Sequence, residues 1–114
     1  MRLNHVALTV SDRERSAAFY AEHFGLTERL HDDEHMLILG SGDGAVLALW
    51  EGTPPARLPR TNHFGFQLDS PDEVRAARER LRAAGVPETE WEPSGTVRVQ
   101  VSDPDGYRVE FFAF

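Results

Sequence analysis

Three unlike features of this chain recur at an almost constant offset, and that recurrence constrains the fold more than any other property of the sequence. The stretch "NHVALTV" begins at Asn4-His5, and "NHFGFQL" begins at Asn62-His63. The histidines are 63 − 5 = 58 residues apart, the serines after each stretch 70 − 11 = 59, and the glycines that close the following segments 85 − 25 = 60. Such spacing predicts one supersecondary unit used twice. A pair of units is too few for a solenoid.

Each unit reads as β-α-β-β-β. In the first, Val6, Leu8 and Val10 alternate with His5, Ala7 and Thr9, a half-buried strand. Ser11-Asp12-Arg13-Glu14 predicts a helix start with Ser11 as N-cap, and Gly25 predicts its end after Ala17, Ala18, Phe19, Tyr20 and Phe24. Strands are expected over 26–30, 35–39 and 45–51, with Ser41-Gly42-Asp43-Gly44 as the last turn. In the second unit a strand over 62–68 precedes Ser70-Pro71-Asp72-Glu73, a capping box with proline at N1. Val74, Ala77, Leu81 and Ala84 form an apolar stripe ended by Gly85, and strands follow over 88–92, 96–102 and 107–114. The predicted class is α+β: paired βαβββ modules forming a cupped mixed sheet, helices on its convex face. The expected organisation is one domain over 1–114, with half-modules 1–52 and 61–114. The connector 53–60 carries three prolines, which a helix interior or central strand would not tolerate.

Composition removes several functions. The net charge is −7 and the chain has arginine but no lysine, its arginines scattered rather than clustered, so neither nucleic acid nor an anionic membrane is an expected partner. No apolar run is long enough to span a bilayer, and no secretion signal is expected at the N-terminus. The absence of cysteine rules out disulfides and thiolate chemistry and fits a cytoplasmic location.

If the apolar faces of the first strands meet the helices, His5 and His63 point to the opposite, concave face. Glu110 lies in the final strand among aromatic neighbours, where a buried carboxylate is costly without a cation. Two imidazoles and a carboxylate suit one divalent ion, Zn²⁺, Mn²⁺, Ni²⁺ or Fe²⁺, with positions left for water or substrate. Glu110 is thereby also the candidate catalytic residue. The strand 96–102 alternates Val97, Val99 and Val101 with Arg98, Gln100 and Ser102, so Arg98 and Gln100 are candidate substrate-binding residues. Arg98 could grip a carboxylate or phosphonate by paired hydrogen bonds. Trp50 and Phe112 are candidate apolar pocket walls.

The paired βαβββ plan, the Asn-His pairs and the closing "DPDGYRVEFF" resemble the vicinal oxygen chelate superfamily, over essentially the whole chain. Its members include glyoxalase I, extradiol dioxygenases, methylmalonyl-CoA epimerase, fosfomycin-resistance enzymes and metal-free bleomycin-binding proteins. By that resemblance His5, His63 and Glu110 fall on metal-ligand positions. Glyoxalase I is similar to a four-ligand version with a further glutamate on the last strand of the first half. Here that place falls near Ala48, and Glu51 lies on the other strand face. A His-His-Glu triad looks more like the dioxygenases and the fosfomycin enzymes. The latter typically add lysine, which this chain lacks, and the extradiol enzymes add a histidine and a tyrosine, for which His35, Tyr20 and Tyr107 are the available residues.

The expectation is therefore a small metalloenzyme acting on an oxygen-rich small molecule, by isomerase, lyase, thiol-transferase or dioxygenase chemistry. The alternative is a metal-free protein that binds a small molecule or drug. The resemblance also implies a homodimer, with or without exchange of modules between chains.

Overall fold

The computed structural model describes residues 1–114 and resolves the chain into two compact units, Met1–Arg57 and Leu58–Phe114. Each is a βαβββ module, and the fold is α+β as the repeat predicts.

The first module contains β1 (His5–Val10), α1 (Arg13–Phe24), β2 (Glu28–Asp32), β3 (Met36–Gly40) and β4 (Val46–Glu51). Its four-stranded sheet has the order β1-β4-β3-β2, with β1 parallel to β4 and the other pairs antiparallel. Leu8 and Val10 are buried together with Leu37, Leu39, Leu47 and Leu49, and Ala17, Tyr20 and Phe24 of α1 are buried with them. Ala18 is exposed, while Ser16 and His23 join the buried face at helical spacing. The helix starts one residue later than predicted. Asp12, not Ser11, is the N-cap, and its carboxylate accepts from the Arg15 N–H at 3.1 Å. An anion is favoured over a hydroxyl at the positive end of the helix dipole, and Ser11 Oγ instead accepts from Arg15 Nη2. Gly25 closes α1 at φ 69°, a left-handed conformation that suits glycine.

The second module contains β5 (His63–Gln67), α2 (Pro71–Ala83), β6 (Glu88–Glu92), β7 (Val97–Ser102) and β8 (Arg108–Ala113). The sheet order β5-β8-β7-β6 repeats that of the first module, again with its outer pair parallel. Ser70 caps α2 by accepting from the Glu73 N–H at 3.2 Å, while the Glu73 carboxylate reaches back to the Asp69 N–H. Val74, Ala77 and Leu81 are buried as predicted, but Ala84 is exposed because the helix has ended there. Val97, Val99, Val101, Val109, Phe111 and Ala113 complete the core on the helix side of the sheet. Between Glu51 and His63 there is neither helix nor strand, consistent with its prolines.

Two strand boundaries differ from expectation. The second strand begins at Glu28 rather than Leu26, because Leu26 is fully buried directly after the helix cap and its N–H returns to the Tyr20 carbonyl. Both edge strands β2 and β6 carry a bulge, at Leu30 and Thr89 respectively, which a period of two cannot reveal.

Candidate functional site

The register of the two sheets places the predicted residues. On the face of the second sheet away from α2, His63 pairs with Arg108, Gly65 with Glu110 and Gln67 with Phe112. Glu110 also pairs with Gln100, and Arg98 with Phe112. Alternation therefore puts His63, Gly65, Arg98, Gln100, Glu110 and Phe112 on one face. The first sheet has the matching frame: His5 pairs with Val46, Ala7 with Ala48, and Ala48 with Ile38.

His63 and Glu110 come together. His63 Nε2 lies 3.6 Å from Glu110 Oε1. His63 Nδ1 lies 2.8 Å from the Thr61 carbonyl oxygen, which can only accept, so Nδ1 carries the proton. In a neutral ring Nε2 then presents its lone pair toward the carboxylate. Two electron-pair donors facing each other repel unless a cation or a second proton lies between them. This is the ring orientation that metal-bound imidazoles adopt, the far nitrogen fixed by a backbone carbonyl. Glu110 is 7% exposed, so its charge is largely withdrawn from water. Gly65 makes room for it: a Cβ at that position would lie 2.6 Å from Glu110 Cγ. A glycine inside a strand often marks such a close approach. The donor types and this cradle fit a divalent ion, which His63 and Glu110 would hold as two of its ligands. Neither module by itself gathers three metal-ligating side chains.

The remaining predicted residues are placed as follows. His5 is exposed at the start of β1, its Nδ1 3.4 Å from Asn4 Oδ1. Arg98 does point to the face away from α2, but its Nη2 donates to Glu90 Oε1 at 3.1 Å, so part of its charge is already matched. Gln100 is fully buried; its Oε1 accepts from Thr89 Oγ1 at 2.8 Å, and its Nε2 lies 3.5 Å from Glu110 Oε2. Trp50 is 45% exposed, beside Thr9 and Met36 in the first sheet. Phe112 packs edge-on against Phe114, ring centres 6.0 Å apart. Tyr20 is fully buried in the first core, which removes it from contact with a ligand. His35 lies in a turn next to Glu34, and Tyr107 precedes β8.

The sequence alone did not single out Gly65, Thr89 or Glu90. Gly65 carried a readable signal, a glycine between two phenylalanines of a strand. Thr89 and Glu90 carried none, because their roles depend on the bulge.

The family model described as glyoxalase/bleomycin resistance protein/dioxygenase superfamily matches residues 2–111. A probable trivalent organoarsenical cleaving enzyme of Bacillus subtilis is 31% identical over 98% of this chain and 80% of its own length. A lactoylglutathione lyase of Haemophilus influenzae is 32% identical over 97% of this chain and 91% of its own. A manganese-dependent 2,3-dihydroxybiphenyl 1,2-dioxygenase of Geobacillus is 24% identical over 97% of this chain, which spans 36% of that protein. Among solved structures, a genomically encoded fosfomycin resistance protein of Listeria monocytogenes superposes with a TM-score of 0.83, at 25% identity, over 100% of this chain and 93% of that one.

Proposed function

The chain belongs to the glyoxalase/bleomycin resistance protein/dioxygenase superfamily, and from that premise we propose a divalent-metal enzyme acting on a small oxygen-rich substrate. The observation that carries this reading is the His63–Glu110 pair: an imidazole whose Nδ1 is held on the Thr61 carbonyl and whose Nε2 lies 3.6 Å from a mostly buried carboxylate. We take His5 as the third ligand because it occupies in β1 the register place His63 holds in β5. Zn²⁺, Mn²⁺, Ni²⁺ and Fe²⁺ all accept such a set.

A bound divalent ion would supply Lewis acidity toward a substrate's oxygens, an effect worth several kcal/mol of barrier. The residues themselves do the following. The Thr61 carbonyl fixes the His63 tautomer. Glu110 acts as ligand and is the candidate catalytic carboxylate. Arg98 offers the guanidinium donors that Glu90 leaves free to a substrate oxyanion. Trp50 and Phe112 give apolar surface, each on its own sheet. The active unit is proposed to be a homodimer of 114-residue domains, in the cytoplasm.

A second reading is a metal-free binding protein. It is favoured by the first module alone, where Ala48 stands at the place of Glu110 and Trp50 is half-open. Elemental analysis of purified protein, with a Mn²⁺ and Zn²⁺ titration, separates the two. The enzyme reading expects about one ion per site and loss of binding in His63→Ala. Ligand capture that survives metal stripping and His63→Ala would establish the second reading instead.

A further inference from the structure

The two modules share one backbone frame but not one chemistry along it. In the first, the bulged Leu30, then Ile38, then Ala48 occupy successive strands β2, β3 and β4. At the matching places of β6, β7 and β8 the second module has Thr89, Gln100 and Glu110. An apolar column is thus replaced by a polar one. Since the first module folds in the same topology without it, the polar column is not a requirement of the fold.

The column has a direction. Glu110 can only accept when ionised, so the Gln100 amide must turn its NH₂ toward Oε2 and its carbonyl toward Thr89. The Thr89 hydroxyl donates to that carbonyl at 2.8 Å and so anchors the far end of the amide, whose sense Glu110 sets. A bulge is a known means of re-aiming a side chain, and at the bulged Thr89 the hydroxyl meets Gln100 of the neighbouring strand. With Gln100 fully buried, water does not substitute for its amide. One carboxylate oxygen faces the Gln100 amide on the β7 side at 3.5 Å, and the other faces His63.

We propose that Gln100, set by Thr89, is a positioning residue that holds the Glu110 carboxylate toward His63. Gln100 then acts through Glu110 and does not itself touch substrate. The inference rests on the reading of His63 and Glu110 as ligands.

The test is a Mn²⁺ titration by calorimetry of the full chain as wild type, Gln100→Met, Thr89→Val and the double variant. It is joined by a metal-free crystal structure of Gln100→Met. Methionine keeps the length and removes the donor. Expected are a roughly 10- to 100-fold weaker affinity for Gln100→Met, the scale typical of residues that orient a ligand, and a smaller loss for Thr89→Val. The double variant should match Gln100→Met, since Thr89 acts only through Gln100. Wild-type affinity in Gln100→Met, or losses that add in the double variant, overturns the proposal. If Gln100→Met does not fold, Thr89→Val decides: unchanged affinity overturns it and weakened affinity supports it. If the wild type takes up no Mn²⁺ or Zn²⁺, the metalloenzyme reading fails. The crystal structure then decides the positioning by itself: Glu110 Oε1 still facing His63 Nε2 overturns it, a swung carboxylate supports it.

Discussion

Gly65→Ala places one methyl group where the site is most crowded. The new Cβ would lie 2.6 Å from Glu110 Cγ, 3.2 Å from Phe112 Cδ1 and 3.3 Å from the Glu110 carbonyl oxygen. Carbon atoms in contact prefer at least about 3.5 Å, so Glu110 Cγ must recede by roughly 0.9 Å. Cγ swings on a short arc about the Cα–Cβ bond, and that displacement turns χ1 some way off its rotamer. A departure of about 30° costs roughly 0.5–1.5 kcal/mol, and crowding at a packed site totals about 1–3 kcal/mol. Against this, alanine in a strand interior gains about 0.5–1 kcal/mol over glycine. The net destabilisation is therefore between about 0 and 2.5 kcal/mol, a melting-point drop of at most roughly 10 °C. The fold survives, but the carboxylate no longer faces His63. In a Mn²⁺ titration beside a thermal melt, affinity should fall at least about tenfold, the lower end for disturbed ligand orientation. The first module offers the natural comparison: Ala7 stands at the place of Gly65, opposite Ala48, where no glutamate needs the space. Gly65→Ala protein that melts below wild type and yet binds metal with undiminished affinity would refute the steric argument.

Two further outcomes test the frame around the site. Asp103 is buried and its Oδ1 accepts from the N–H groups of Asp105 and Tyr107, both at 2.9 Å, at the turn that launches β8. Asp103→Ala should cost about 1–3 kcal/mol in urea denaturation and Asp103→Asn distinctly less, because the amide oxygen still accepts. Asp33 is held well below the usual carboxylate range by the His31 side chain first, then by the N–H groups of His35 and Met36. A lowered folded value means its contribution is present above the unfolded pKa of about 3.9 and is lost as pH falls through the lower folded one. In a pH titration followed by NMR, the His35 and Met36 amides should keep their bonded shifts down to about pH 4 and release only in stronger acid. Release above about pH 5 would contradict this assignment.

Much of the module architecture was legible because its signals are local. Alternation in "NHVALTV" and "TVRVQVS", the Ser70-Pro71 start and the Gly25 stop act over a few residues, where period and cap chemistry operate. The same locality explains the errors. Ser11 and Asp12 are both good caps, and Asp12 takes the place with its carboxylate on the Arg15 N–H while Ser11 Oγ accepts from the Arg15 guanidinium. Leu26 looks like strand but belongs to the helix cap, since its burial follows from packing. The site was half legible: a strand histidine and a strand glutamate drew notice as residue types. That Arg98 is paired to Glu90, and that Gln100 is tied between Thr89 and Glu110, depends on how β6 bulges against β7.

By itself the sequence determined the repeat, the alternating faces and the residue types able to hold a cation, because these follow from spacing and chemistry along the chain. Tertiary structure alone decided which oxygen of Glu110 faces His63, through parallel pairing of β5 with β8 and the missing side chain of Gly65. Side chains 47 positions apart (110 − 63) meet only once strand register is set. Register is a property of the assembled sheet, since a slip of one residue would turn Glu110 into the core.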